Sequence, residues 1–181
     1  MPHPSEDLSV YSRPAIFFHW SIALLIGLAY LAIEIRGPKG TDSRIIWTNI
    51  HFLAGFLVFA LSGFRVLWRL WHGAPPDSKD ASAFLARLVH LMLYVFMFVQ
   101  PLLGVLMENT GGSSVHLPLM HLDIALVGTD PIAHRAIRAV HEWLGNAFYW
   151  VIGLHALAAI GHHFVMKDET LRRMLGLQKR S

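Results

Sequence analysis

The chain has 181 residues, of which 54% are hydrophobic and only 15% are charged, so it is too apolar for an ordinary soluble domain. It has no cysteine, which excludes disulfides, thiolate-bound iron–sulfur clusters and covalent haem attachment through a C-x-x-C-H motif. The net charge of +3 does not indicate nucleic-acid binding, because the basic residues stand at the ends of apolar segments. We therefore expect a lipid-embedded protein with no nucleic-acid partner.

Four stretches without Asp, Glu, Lys or Arg are each long enough to cross a membrane. They cover residues 14–33, 45–64, 88–107 and 143–166. About 20 apolar residues span a hydrocarbon core of about 30 Å, and a helix satisfies its own backbone hydrogen bonds in lipid. The sequence therefore predicts an all-α fold, an integral membrane four-helix bundle whose short connections make neighbouring helices antiparallel, up-down-up-down.

Capping residues refine the helix ends. Ser12 and Pro14 suit the start of the first helix, Ser82 could cap the third, and Asp130 with Pro131 suits the start of the fourth. With no internal repeat and no second domain in view, residues 1–181 are expected to form a single membrane domain with a short cytoplasmic tail. The expected helices cover roughly residues 14–35, 45–71, 82–107 and 131–166.

The basic residues are divided unevenly between the two sides of the predicted bundle. The richer side carries Arg13, Arg65, Arg69, Lys79, Arg87, Lys167, Arg172, Arg173, Lys179 and Arg180. The poorer side carries Arg36, Lys39, Arg44, Arg135 and Arg138. Because cytoplasmic loops are the ones enriched in Lys and Arg, both termini are predicted to lie in the cytoplasm. The loop at residues 111–129 then faces outward, and its composition does not indicate how it folds.

Four of the twelve histidines, all inside the predicted helices, sort into two pairs at two depths. His141 and His155 are 14 residues apart, so they share one face of the last helix with about 21 Å of rise between them. His51 belongs to the outer level of His141, and His19 to the cytoplasmic level of His155. Each pair could ligate one haem, which without cysteine must be of b type. A lone intramembrane histidine is as often a hydrogen-bonded packing residue, so the hypothesis depends on the matching depths.

Two further observations bear on these ligands. A small residue stands four positions after each candidate, namely Ala23, Gly55, Gly145 and Ala159, which would leave room for a porphyrin or would simply allow close helix packing. His90 is a rival ligand at the cytoplasmic level. Otherwise it packs between helices or donates to a haem propionate.

Other polar residues near the two membrane surfaces have two interpretations each. His162 shares the face of the cytoplasmic-level ligands and could hydrogen-bond a quinone, whereas His163 is rotated away, and both could equally be interfacial residues. The outer arginines could anchor helix ends or could form a positive funnel that steers a small anionic donor. For the funnel we single out Arg44, Arg135 and Arg138.

Several segments together resemble the short bacterial cytochrome b561 family, the four-helix dihaem cytochromes b of the inner membrane. The matching segments are YSRPAIFFHW, EIRG, NIHFLAG, HEWLGNAFY, VIGLHALAA, HHF and KDETLRRML. They cover helices one, two and four and the tail, while helix three and the outer loop match only in general character.

The resemblance implies haem ligation by His19, His51, His141 and His155, with ubiquinone as electron acceptor beside His162. Members of this short type are similar to superoxide oxidases, which pass electrons from superoxide on the periplasmic face to quinone. It also implies the bacterial inner membrane and no obligate protein partner. The alternative is the cytochrome b electron-conduit subunit of a hydrogenase or other periplasmic dehydrogenase. Those subunits tend to be longer and need a docking surface, so the short outer loop favours the free-standing enzyme.

Overall fold

The computed structural model describes residues 12–72, 81–117, 121–167 and 169–177. Lys79, Lys179 and Arg180, which were counted for the orientation, lie outside these ranges. The helices are α1 (Arg13–Ile35), α2 (Asp42–His72), α3 (Ala81–Thr110), α4 (Pro131–Phe164) and α5 (Thr170–Met174). The strands are β1 (Val115–Leu117) and β2 (Leu122–Ile124), which pair antiparallel.

Helices α1 to α4 are each long and apolar enough to cross a membrane, which confirms the predicted all-α four-helix membrane fold. Two of them are longer than expected: α2 begins at Asp42, and α3 ends at Thr110. The reason is that an uncharged run marks the hydrocarbon core, whereas a helix can continue into the headgroup region beyond it. The chain stays helical through Pro101, inside α3.

The predicted caps of α1 and α4 are present. The Ser12 hydroxyl accepts a backbone N–H of the first turn of α1 at 3.4 Å. The Asp130 carboxylate accepts two backbone N–H groups of α4, at 2.9 and 3.0 Å, and so satisfies donors that a helix start otherwise leaves unpaired. The expected cap of α3 is wrong, because Ser82 lies inside the helix, which begins at Ala81.

The helices are arranged as two hairpins that face each other. The closest backbone packing joins α1 to α2 and α3 to α4, with less between α2 and α3. Long side chains join α1 to α4: the Tyr30 hydroxyl donates to the Gly145 carbonyl at 2.7 Å, and its ring lies 3.9 Å from that of Tyr149. At this level α4 therefore contacts α1 across the seam between the two helical hairpins.

An apolar layer fills the middle of the bundle. It consists of buried residues from all four long helices, namely Ile22, Val58, Phe96, Met97 and Phe148. The rings of Phe96 and Phe148 stack 4.5 Å apart with 15° between their planes. Phe148 stands seven residues from both His141 and His155, so the layer separates the two histidine levels.

The two ends of the bundle differ. We call the end that carries β1 and β2 the hairpin end, and the end that carries Ser12 and α5 the terminal end. At the terminal end, the Trp20 indole N–H donates to the Met174 carbonyl at 2.9 Å and fastens α5 to α1. At the hairpin end, Val115 pairs with Ile124 and Leu117 with Leu122.

Candidate functional site

The hairpin end holds a pair of imidazoles from α2 and α4. The ring centroids of His51 and His141 are 6.5 Å apart, and the planes are inclined by 79°. The Nδ1 atom of His51 lies 2.9 Å from the carbonyl oxygen of Ala29. Because a carbonyl can only accept, Nδ1 is the protonated nitrogen, and the lone pair of Nε2 is left for another partner.

His141 is held differently from His51. Its Nδ1 atom is buried and has no hydrogen-bond partner among the described residues. Its ring lies against Gly104 of α3, where an added Cβ would come within 3.3 Å of Cε1. The Gln100 amide donates to the His141 backbone carbonyl at 2.7 Å and fastens this turn of α4 to α3. Gly104 is therefore the small residue that admits this imidazole.

A cavity of about 290 Å³ opens beside this pair. Both imidazoles line it, together with Gly55 and Gly104, which have no side chain to cover the helix backbone. No atom lies within 4 Å of a Cβ added at Gly55, which agrees with the expected room for a flat group. Gly145 differs, because its added Cβ would meet the Gln100 amide at 3.1 Å.

The β-hairpin covers one side of this cavity with apolar side chains. Val115 and Leu117 are buried, and both line the cavity. Asn109, itself buried, ties the hairpin to α3: its amide donates to the carbonyls of Ser113 and Ile124 at 3.1 and 3.0 Å, and its oxygen accepts the Leu126 N–H at 2.7 Å. All three bonds hold the hairpin against the end of the bundle.

The terminal end holds the second pair, from α1 and α4. The ring centroids of His19 and His155 are 6.3 Å apart, with 61° between their planes. Arg65 of α2 places Nη1 3.0 Å from Nδ1 of His19. The ring of His90 is nearer to His155, at 5.4 Å. The structure thus brings together both pairs that the depth argument predicts, with His90 beside one of them.

The spacing within the two predicted pairs suits an axially ligated haem iron. A metal ion that binds one nitrogen of each ring at about 2 Å, with each nitrogen about 1 Å from its ring centroid, puts the centroids about 6 Å apart. Both pairs match this value, whereas the His90–His155 separation is shorter. The described residues hold no group of three or more metal-binding side chains. Two imidazoles suit a metal whose other positions a porphyrin fills, so the residues fit a haem.

Comparison with known proteins agrees with this chemistry. The profile of prokaryotic cytochrome b561 matches residues 10–177. "Cytochrome b561 homolog 1" of Escherichia coli (strain K12) is 31% identical over 176 residues, 93% of this chain and 98% of that protein. "Probable superoxide oxidase CybB" of Yersinia pestis is 32% identical over 176 residues, 91% of this chain and 95% of that protein. "Cytochrome b561 homolog 2" of Escherichia coli (strain K12) is 29% identical, covering 88% and 87%.

The chain belongs to the prokaryotic cytochrome b561 family. The resemblance noted in the sequence is confirmed. The protein is therefore a multi-pass bacterial membrane cytochrome b, and b-type haem is the cofactor that the family implies. Ligation by the four named histidines stays a prediction.

The outer arginines of this cytochrome b561 differ in their surroundings. Arg36, which the predicted funnel set leaves out, lines the cavity. Burial lowers the pKa of Arg36, and the nearby guanidinium groups of Arg44 and Arg138 lower it further. Arg138 is paired with Glu142 at 2.9 Å, while Arg135 is exposed. Arg36, one of the five basic residues predicted for the outer side, is thus the one next to the imidazole pair.

The predicted quinone residue of the cytochrome b561 lies at the terminal end. His162 is half-buried in the last turn of α4, and so is its neighbour His163. The Nδ1 atom of His163 is buried and has no hydrogen-bond partner among the described residues. The geometry brings both imidazoles to the level of α5 and does not separate their roles, so the choice of His162 stays a prediction.

Proposed function

We propose that this cytochrome b561 is a superoxide:ubiquinone oxidoreductase that takes electrons at the hairpin end and delivers them at the terminal end. The observation that carries the proposal is the presence of two imidazole pairs, 6.5 and 6.3 Å between ring centroids, at opposite ends of one bundle. A relative named "Probable superoxide oxidase CybB", 32% identical over most of both chains, supports the choice of substrate.

Two b-type haems are assigned to these pairs. His51 and His141 would hold one iron, and His19 and His155 would hold the other. When bound, each haem supplies a one-electron redox centre. The protein orients the ligands: the Ala29 carbonyl fixes the His51 ring, and Gly104 admits the His141 ring. The buried Phe96–Phe148 layer keeps water out of the region between the two pairs.

The hairpin end suits a small anion better than a docked protein. Arg36 lines the cavity and has Arg44 and Arg138 as close neighbours, so their charge attracts anions and raises their local concentration. The apolar side chains of Val115 and Leu117 cover one side of the cavity, which leaves less of it open to a docked protein. These two features favour superoxide over the electron-conduit alternative.

The terminal end is assigned to ubiquinone. Two superoxide anions are oxidised to two molecules of oxygen, and the two electrons with two protons convert one ubiquinone into ubiquinol. His162 would donate a hydrogen bond to a quinone carbonyl and pass on a proton, because an imidazole has a ring nitrogen that donates and a second that can accept. Its position in the last turn of α4 supports this role.

The orientation follows from the distribution of basic residues. Among the described residues, seven basic residues belong to the terminal end, which we assign to the cytoplasm, and five to the hairpin end. The seven are Arg13, Arg65, Arg69, Arg87, Lys167, Arg172 and Arg173. Both termini would then be cytoplasmic in the bacterial inner membrane. The hairpin end would face the periplasm, where a membrane-impermeant anion can reach it.

Stopped-flow absorption of the purified single chain tests the proposal. Superoxide should reduce the bound haem rapidly, and added ubiquinone should reoxidise it, with no other protein present. Haem that does not respond to superoxide, in a preparation that copurifies with a soluble dehydrogenase, would support the electron-conduit function instead.

A further inference from the structure

Arg65 of α2 contacts a proposed haem ligand directly. Its Nη1 atom lies 3.0 Å from Nδ1 of His19, and both side chains are half-buried. A guanidinium has only donors, so Nδ1 of His19 must be the acceptor in this contact. The contact therefore requires that Nδ1 of His19 carries no proton.

This contact is incompatible with iron ligation by a neutral His19. The following step rests on the proposed function, in which His19 binds iron. A neutral imidazole has one lone pair and one N–H, and the lone pair is the one that binds the metal. The other nitrogen then carries the proton and cannot accept from Arg65. Whichever nitrogen binds iron, Arg65 has to leave His19 when the site is loaded.

The displaced guanidinium then needs an anionic partner. A half-buried cation without one is costly near the hydrocarbon core of a membrane. In the described part of the chain no carboxylate forms an ion pair with Arg65, and Glu169, at the same end, is paired with Arg172 at 3.2 Å. Among residues 12–72, 81–117, 121–167 and 169–177, therefore, no carboxylate is paired with Arg65.

A bound haem would supply a carboxylate acceptor for the Arg65 guanidinium, because the porphyrin carries two propionates. We propose that Arg65 pairs with a haem carboxylate at the terminal end and so makes that site select a porphyrin with free acid side chains. A guanidinium next to an axial ligand lies beside the porphyrin, and its planar fork matches a carboxylate with two parallel hydrogen bonds. A lipid headgroup phosphate at the membrane surface is the other source of a matching anion.

Reconstitution with two forms of haem separates these sources. The apo-protein is titrated with haem or with haem dimethyl ester, which has the same ring and iron but no free carboxylates. Four chains are compared: native, Arg65→Gln, Arg65→Lys and Arg69→Gln, the last being a matched control because Arg69 is exposed one turn further along α2. Binding is followed by absorption, and the hairpin-end site reports whether each variant is folded.

We expect Arg65→Gln to weaken one of the two haem equivalents by about tenfold to a hundredfold, the loss expected for one charge-assisted pair. Arg65→Gln should bind the dimethyl ester at least as tightly as the native chain does, because the ester offers Arg65 no carboxylate. Arg69→Gln should resemble the native chain with both forms, and Arg65→Lys should bind haem with intermediate affinity.

Three results would overturn the inference: no loss of haem affinity in Arg65→Gln, an equal loss with acid and ester, or an equal loss in Arg69→Gln. The second is the result expected if Arg65 holds a lipid phosphate or only supports the fold. Failure of the proposed function looks different, because a native chain that binds fewer than two haems, or His19→Ala that still binds two, contradicts the ligand assignment itself.

Discussion

The two imidazole pairs are nearly alike in spacing and very different in surroundings. At the hairpin end, His51 is fixed by a backbone carbonyl, and apolar strand residues cover the cavity. At the terminal end, His19 contacts Arg65 and His155 has His90 at 5.4 Å. One bundle can therefore repeat the spacing between two imidazoles while it changes the groups that contact them. Such neighbouring groups adjust the affinity and the reduction potential of a bound metal.

The largest effect is expected at the hairpin end, where the cavity beside the two imidazoles is covered by the β-hairpin. Replacing His51 or His141 by Ala should remove one haem per chain and leave the other, because the two pairs lie on opposite sides of the apolar layer around Phe148. Haem content per chain, measured by the pyridine haemochrome assay, gives the result.

The matched control for these variants is His134→Ala. His134 lies on α4 at the same end, where its Nδ1 contacts the Met107 carbonyl at 2.8 Å, and its loss should leave both haems in place. Two haems in His51→Ala or His141→Ala would contradict the assignment of this pair.

The terminal end should respond to loss of its quinone residue. We expect His162→Ala to retain both haems and to slow reoxidation by ubiquinone by about a hundredfold, the typical loss when a proton-transfer group is removed. Stopped-flow reoxidation with excess quinone measures this rate, and His163→Ala is the paired control. Unchanged quinone kinetics in His162→Ala, or a larger effect in His163→Ala, would reassign the site.

The hairpin should depend on Asn109 for its attachment. Asn109→Ala removes three hydrogen bonds to the backbone of the hairpin and its flanks, so we expect a loss of about 1–3 kcal/mol in hairpin stability. Faster hydrogen exchange at residues 113–117 and 122–126, measured by mass spectrometry, would register it. His116→Ala removes a single exposed contact of the same hairpin, with Asp123 at 2.8 Å, and should have a smaller effect. Equal exchange in both variants would remove Asn109 from this role.

The smallest effect is expected from the outer charges. Replacing Arg44, Arg135 and Arg138 by Gln should slow the reaction with superoxide by about tenfold at low ionic strength and less at physiological salt, because the Debye length shortens. Arg138 is paired with Glu142, so its replacement also exposes a negative charge. A native rate that does not depend on salt would rule out steering.

The helices and the histidine depths could be predicted from the sequence because both depend on local periodicity. Apolar runs locate α1 to α4, and residues seven apart on α4 share a face whatever surrounds them. The predicted depths also pair His19 with His155 and His51 with His141, and these rings are neighbours in the structure.

The contacts around the ligands could not be predicted, because they join residues far apart in the chain. Arg65 reaches His19 across 46 positions, and Gly104 faces His141 from another helix. The β-hairpin has strands of only three residues each, too short for a recognisable alternation, and Asn109 in the preceding helix attaches it to the bundle. The two interhelical contacts and the attachment of the hairpin all depend on how side chains meet in three dimensions.

Haem stoichiometry of the purified native chain, read together with its low-temperature EPR spectrum, tests the central claim most directly. We expect two b-type haems per chain, both low-spin with two histidine ligands. A single haem, or a spectrum that requires a ligand other than histidine at either iron, would contradict it.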